Sequence, residues 1–535
     1  MTDDSTDSPN PPAPGRHHLP LGTLIACCIA VCVAQTSGAI PATLNGLLQA
    51  DLHTSGSQLT WVSDASLLPI AVLELTFGVL GDLFGRRRLL IIGAVLIAAG
   101  EAVSAATGGV HVLWVGLALA GIGAAAIFPS SLAIIVVAAR DHRQRSTAIA
   151  AWAASLAAGG FVAPMIGGVT GNYGSWRWAF IAVALIAVLG AGTGFAAQDS
   201  SAPHGRSLDF PGQITVAVGM LALLYGVIQG PADGWGSAQV DSAFAVAAVF
   251  LILFIVAELR SHAPLLHLDL FKNRLFSVAG LVAMVGMFSF LGTVYSVSIR
   301  LGPIEHQSPL RIAVAFLMTN GPTMFLAPVT ARLLHRVSAR WLLGAGFLLI
   351  AMGDLLMAHL AITDTALPSL LLPLIVIGIG FTIAVSSITA AAVNTVPLRL
   401  AGMASAATSQ LRDFGFALGP AVIAAVALSR AGAGFASALS SSPLPEPLKA
   451  AVGQIAAAGG PMAVNSLPPQ SPPGAAAPLA LHALGHGYAV GFVVCACAAL
   501  FSGLLAALVL RGNHAHAFDL DDALALDVHS AATAA

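Results

Sequence analysis

The feature that most constrains this chain is the way its apolar residues are grouped. They arrive in fourteen runs, each long enough to cross a bilayer, near residues 21–45, 60–82, 88–107, 110–138, 146–170, 177–197, 211–230, 239–259, 276–300, 309–335, 341–362, 367–395, 401–429 and 485–511. A helix needs about 20 mostly apolar residues to cross about 30 Å of hydrocarbon. Lipid offers the backbone no hydrogen bonds, so every run must be helical. Of 535 residues, 57% are hydrophobic and 9% charged, against about 25% charged in a soluble domain. Such a chain cannot cover itself in water. Soluble enzymes and disordered scaffolds are excluded, and a net charge of −2 provides no basic field for nucleic acid.

The basic residues set the orientation. With the N-terminus inside, sixteen of the 22 Lys and Arg residues fall on the cytoplasmic side, among them Arg16, Arg86, Arg87, Arg88, Arg140, Arg206, Arg399 and Arg511. Five (Arg177, Arg300, Arg311, Arg430 and Lys449) fall outside, and Arg412 is left within a span. That bias is the positive-inside pattern. It predicts cytoplasmic tails at 1–20 and 512–535 and a mostly irregular external loop at 430–484, with one short helix near 446–458. Residues 1–20 hold Asp3, Asp4 and Asp7 with a single Arg16, unlike the basic start of a secretory signal. Cys27, Cys28, Cys32, Cys495 and Cys497 all lie in apolar runs and read as buried free thiols. No Cys/His spacing resembles a metal site, and no cofactor is expected. His514 and His516 read as part of a solvated tail.

An internal repeat is visible. Leu90–Glu101 aligns with Leu343–Asp354 at an offset of 253, with Leu90, Gly93, Leu96, Ile97, Ala98 and Gly100 identical and the acid kept. The loop before each run aligns too: Arg87 faces Arg340, while Gly78, Asp82, Gly85 and Arg86 face Ala331, His335, Ser338 and Ala339. Repeats of this kind mark transporters whose halves rock about a site near the midplane.

Residues Gly78 to Arg88, with Asp82, Gly85, Arg86 and Arg87, resemble the loop motif after span 2 of the major facilitator superfamily. Gly160, Pro164, Gly167 and Gly168 in span 5 resemble its antiporter motif, with Ala163 where glycine is usual. Trp176-Arg177-Trp178 and the segment Leu265–Phe276 are similar to the fourteen-span drug:proton antiporter branch. The resemblance covers residues 21–511. It implies an all-α integral membrane protein of two pseudo-symmetric six-helix bundles, 21–197 and 276–511, with two extra helices within 198–275. It also implies alternating access and export of amphiphilic molecules coupled to proton entry. Span 1 (Gln35–Pro41) lacks the acid common in this branch, and Leu117 and Ala120 stand where arginine and glutamine are usual. Coupling is therefore expected elsewhere.

Ionisable residues inside spans cost about 2.5–3.5 kcal/mol on insertion scales and default to functional hypotheses. They are Asp64, Glu74, Glu101, Asp354, Arg412 and Asp413. By the resemblance, spans 2 and 13 meet across the bundle interface, which predicts a Glu74–Arg412–Asp413 cluster able to carry a proton or to act as a static ion pair. Asp64 reads as an outer gate residue or an interfacial cap. Glu101 and Asp354 read as a repeat-related structural pair. Gln35, Thr36, Ser37 and Asn394 are the expected polar groups of a substrate cavity.

The expected function is export of cationic or neutral drug-like molecules across the bacterial cytoplasmic membrane, with protons as the coupling partner and the chain acting as a monomer. An exporter or permease for one specific metabolite or lipid precursor, with or without proton coupling, and a non-transporting receptor are the alternatives. The chain has no G-x-x-x-x-G-K-[ST] loop, and its lysines are Lys272 and Lys449, which disfavours a transporting ATPase.

Overall fold

The computed structural model describes residues 20–510 except 140, 202–207, 262, 263, 335, 398 and 399. The expected tails beyond Pro20 and Leu510, with Arg16, Arg140, Arg206, Arg399, Arg511, His335, His514 and His516, lie outside the described residues.

Among the described residues, fourteen helices are long and apolar enough to span a bilayer. In chain order they are α1 (Leu21–Leu52), α2 (Gly56–Phe84), α3 (Arg86–Ala106), α4 (Val110–Ala138), α5 (His142–Tyr173), α6 (Trp176–Gly194), α7 (Phe210–Asp233), α8 (Ala238–Arg260), α9 (Arg274–Ile299), α10 (Pro309–Leu334), α11 (Ala339–His359), α12 (Leu367–Val393), α13 (Ala401–Ser440) and α15 (Ala477–Val509). Helix α14 (Glu446–Asn465) lies between the last two spans. Local chemistry sets several helix starts. Ser55 and Gln58 form a capping box on α2, and Asp141, Asp209 and Asn273 cap α5, α7 and α9 through their side chains.

The region 430–484 departs from the sequence expectation. Helix α13 continues to Ser440, α15 begins at Ala477, and the segment between them holds α14, kinked at Gly460 where φ is +70°. At 40 residues α13 is about 60 Å long, twice the hydrocarbon thickness, so it projects well beyond the bilayer. Phe435 and Leu439 of α13, Val452 and Val464 of α14, and Ala476 and Ala480 form a small core of their own. Apolar spacing there supports helix packing despite the prolines.

The repeat extends over three helices. Leu21 and Arg274, Gly56 and Pro309, and Arg86 and Ala339 begin α1/α9, α2/α10 and α3/α11, each pair 253 residues apart. Packing repeats as well. A methyl at Gly93 would fall 2.6 Å from Gly123 O, and one at Gly346 would fall 2.8 Å from Gly380 O. In both bundles, glycine lets the backbones of adjacent helices touch. Helices α1–α6 pack together, as do α9–α13 with α15. The hairpin α7–α8 lies over the seam between α2 and α13: Leu224 and Ile228 pack on Ala71, Ala417 and Ala421.

The two bundles also meet where α1 ends and α2 begins. Asn45 Nδ2 donates to Ser298 Oγ at 2.8 Å, and Ser298 Oγ donates to Ala42 O. Asn45 and Ser298 are themselves repeat-related, as expected beside a pseudo-twofold axis. Thr60 Oγ1 and Tyr295 OH share a hydrogen bond of 2.8 Å. Beyond Tyr295, α9 ends in a π-helical turn, Arg300–Ile304, held by a buried arginine. Arg300 Nε binds Glu305 at 2.7 Å, and its other nitrogens reach Met357 O, Leu360 O and Ala361 O.

Candidate functional site

Glu74 sits ten residues before the end of α2, and Arg412 eleven residues after the start of α13. At about 1.5 Å per residue both lie roughly 15 Å from the same end of the molecule, and antiparallel packing brings them level. Gln410 Nε2 donates to Ala71 O across the seam. Glu74 comes within hydrogen-bonding reach of Asp413 and within Coulombic range of Arg412. Arg412 Nε donates to Asp413 Oδ1 at 3.0 Å, while buried Asp413 Oδ2 has no other partner among the described residues. The Arg412 guanidinium lies 5.9 Å from the Phe416 ring. Two acids and one base thus face each other between the bundles. Gln213 of α7 braces the α2 side: its Nε2 donates to Val72 O at 3.0 Å, and its Oε1 accepts from Thr76 Oγ1.

Asp64 belongs to a different site. It is wholly buried beside Tyr295, and both its oxygens lack partners among the described residues.

Glu101 and Asp354 form matched bonds. Ser37 Oγ of α1 donates to Glu101 Oε1 at 2.5 Å, and Thr293 Oγ1 of α9 donates to Asp354 Oδ1 at 2.7 Å. In each bundle the third helix is thereby tied to the first. Both acids are fully buried, each with its second oxygen unpartnered among the described residues.

The expected cavity set divides. Ser37 is committed to Glu101. Thr36 is buried and donates to Cys32 O at 2.8 Å and to Gly159 O at 3.2 Å, so it joins α1 to α5. Asn394 is the C-cap of α12, and the neighbouring Thr395 O receives Asn273 Nδ2 at 2.6 Å. That is a helix end, away from the middle of the bilayer. Gln35 alone of the four points toward the other bundle: a methyl built on Gly160 would lie 4.0 Å from its Nε2 and 4.0 Å from Asn320 Oδ1 of α10. Its counterpart, Asn320 of α10, was not singled out from sequence, although a lone amide in an apolar run was the available signal.

The span-5 motif works by close approach. Gly159 lies against Cys32 O, Gly167 against Thr43, and Gly168 against Ala313 of the other bundle. Leu117 and Ala120, where the family carries polar residues, are 1% exposed, and a methyl on Gly100 would meet Ala120 N at 2.6 Å. Both positions are thus packed with apolar groups.

The loop motif after α2 is a one-residue turn. Phe84 ends α2, Gly85 has φ +102°, and Arg86 begins α3. Arg86 Nη2 binds Asp82 Oδ1 at 2.7 Å, and Arg86 N donates to Ser200 O at 3.0 Å. In the second bundle Ser338 precedes α11 with φ −62°, so that turn needs no glycine. At the opposite end, the Trp176-Arg177 pair ties three helices. Arg177 binds Asp51 at 2.9 Å and Thr107 O at 3.1 Å, while Trp176 Nε1 donates to Asp51. Among the cysteines, Cys27 and Cys495 are buried, Cys28 and Cys32 half-buried, and Cys497 is exposed, contrary to expectation. Its face of α15 points away from the bundle.

Two repeat-related helical bundles, in contact at one end and with paired charges in the seam, define a multi-pass membrane protein of the alternating-access transporter class. The model of the Major Facilitator Superfamily matches residues 25–420, and the chain belongs to that superfamily. It is 29% identical over 440 residues to the tetracenomycin C resistance and export protein of Streptomyces glaucescens, covering 81% of each chain. It is 30% identical to the multidrug resistance protein Stp of Mycobacterium tuberculosis, covering 69% of this chain and 68% of that one. The puromycin resistance protein pur8 of Streptomyces alboniger is 30% identical, with 70% and 75% covered. Among solved structures, a POT family transporter bound to 5-aminolevulinic acid superposes with a TM-score of 0.62 at 12% identity, covering 92% of this chain and 96% of that one. At that identity the likeness is one of fold.

Proposed function

We propose that this protein exports drug-like small molecules across the bacterial cytoplasmic membrane by alternating access, driven by proton entry. The relatives named for resistance and export support the direction and the substrate class. The observation that carries the coupling is the meeting of Glu74 with Arg412 and Asp413 across the α2–α13 seam. A carboxylate has no donor, so two carboxyls brought together between the bundles can bond to each other only by holding a proton between them. Rocking the bundles separates Glu74 from Asp413 and Arg412 and alters how tightly that proton is held. The packed apolar site at Leu117 and Ala120 supports placing coupling at this seam. Asp64, buried at the closed end, serves in this reading as a second protonatable group near the outer gate.

The arginine bias supports cytoplasmic termini. The end where Asn45 meets Ser298 is then extracytoplasmic, and the molecule is closed to the outside. Gly85 and the Asp82–Arg86 pair form the cytoplasmic switch loop in this reading, with Gly78 and Arg87 beside them. The test is substrate-triggered proton movement in proteoliposomes holding a pH gradient, with lipophilic cations as substrates. The unmodified protein is expected to move protons with substrate, and Glu74→Gln and Asp413→Asn to lose that movement. Substrate transport with no proton movement would reduce the cluster to a static ion pair.

A further inference from the structure

The exporter reading leaves the chemistry of the substrate open, and the α1–α5–α10 side of the interface narrows it. Helices α5 and α10 press together toward the closed end, where Gly168 meets Ala313 and Gly171 meets Pro309. Two turns further in, at Gly160, the approach is looser, with a methyl on Gly321 of α10 meeting Phe161 of α5 only at 4.0 Å. A methyl built on Gly160 would find as its nearest neighbours Asn320 Oδ1 and Gln35 Nε2, each at 4.0 Å. One amide comes from each bundle. Both residues are half-buried, and neither side chain makes a hydrogen bond among the described residues. In front of Gly38, one turn along the same face of α1, the space is open to beyond 4 Å.

The ordinary fate of an amide inside a membrane protein is a bond to a neighbouring helix. Here two of them flank a notch that glycine keeps empty, and neither takes the neighbour. The charges are also distant in sequence: α1 has none before Asp51, α5 none after Arg145, and α10 none between Arg311 and Arg332. Glu74, Asp413 and Arg412 belong to the opposite seam, between α2 and α13, and Glu101 is engaged by Ser37 on another face of α1.

We infer that Gln35 and Asn320 form an amide clamp that binds a neutral group presenting an adjacent hydrogen-bond donor and acceptor on an apolar frame, such as a lactam, carboxamide or hydroxy-ketone edge. An amide can turn either end toward the ligand, so the clamp matches the pair in both orders. Because the two amides sit on opposite bundles, a ligand bridging them is held in one conformation and released when α10 moves relative to α1. The inference rests on the exporter reading for its substrate role but not for the binding itself.

The test uses two fluorescent neutral probes that differ at one atom pair. 7-Amino-4-methyl-2-quinolinone presents N–H beside C=O, and 7-amino-4-methylcoumarin presents ring oxygen beside C=O. Binding to the purified full chain is expected to favour the lactam by about tenfold, the size of one lost hydrogen bond. Gln35→Leu and Asn320→Leu, which remove each amide in favour of a branched apolar side chain suited to the membrane, should each bring the ratio close to one. Gly160→Ala fills the notch without a clash and should lower lactam binding with both amides intact. Monodisperse elution and an unchanged melting temperature certify the fold of each variant. Equal binding of the two probes by the unmodified protein, or a preference that survives both leucine variants, refutes the clamp. Ethidium export by the unmodified protein in proteoliposomes is measured beside it. Its absence counts against the exporter reading alone, so the two failures are distinguishable.

Discussion

The closed end of the molecule turns on a contact that has no side chain to spare. Gly46 of α1 lies against Gly302 of the π-helical turn, and a methyl at Gly46 would fall 2.9 Å from both the Cα and the carbonyl carbon of Gly302. Ordinary carbon contacts lie at about 3.5–4.0 Å. The obstruction is backbone, so no rotamer change relieves it, and Gly46→Ala must push α1 and α9 apart by more than half an ångström. The Asn45–Ser298 and Ser298–Ala42 bonds sit within one turn of that contact and stretch with it. At about 1 kcal/mol for each neutral bond, the closed state loses about 2 kcal/mol relative to one with this end open, a shift of roughly thirtyfold. Spin labels at exposed Tyr173 of α5 and Leu310 of α10, in a background free of the five native cysteines, report the gap by electron–electron distance measurement. The unmodified protein should give a single short distance and Gly46→Ala a second, longer population. An unchanged distribution would refute the assignment of this contact as the gate.

Three further outcomes follow from the geometry. Glu101→Gln keeps an acceptor for Ser37 and should melt near the unmodified protein, whereas Glu101→Leu leaves a buried hydroxyl unpaired and should cost about 1–3 kcal/mol by denaturant or thermal unfolding. Gly85→Ala forces a side chain into φ +102° and brings it 3.1 Å from Asp199, which should cost of order 1–3 kcal/mol, while Ser338→Ala in the second bundle costs little on the same melting curves. In the loop after α11, hydrogen bonds from Ser369 and then from the Ala366 N–H hold Asp364 below the usual carboxylate range. A depressed carboxylate adds stability that is complete above its unfolded pKa and is lost as pH falls through the folded one. Melting temperature should therefore drop below about pH 4, and Asp364→Asn should flatten that part of the profile; an identical acid limb would count against the capping role.

What was legible in advance was whatever depends on the solvent. Hydrocarbon demands helices of a set length, which is why fourteen runs could be counted and why Val110–Ala138 was bounded correctly from sequence. The same demand makes buried charges conspicuous, so Glu74, Arg412 and Asp413 could be paired once spans 2 and 13 were set side by side. The repeat was visible through Gly93 and Gly346 because a backbone–backbone contact tolerates no other residue.

Tertiary structure alone decided which face each polar residue presents. Gln35, Thr36 and Ser37 are adjacent in the chain, yet helical geometry turns one toward Gly160 and Asn320, one to α5 and one to α3. An apolar span hides that phase, since lipid and protein interior are equally apolar and leave no amphipathic stripe to read. Asn320, Asn45, Ser298 and Tyr295 acquire their roles from a second bundle lying hundreds of residues away in sequence. The extent of α13 and the packed segment beyond it were hidden for a related reason. Past the hydrocarbon boundary, length is set by what the helix packs against, and Phe435 and Leu439 find their partners only when α14 folds back onto them.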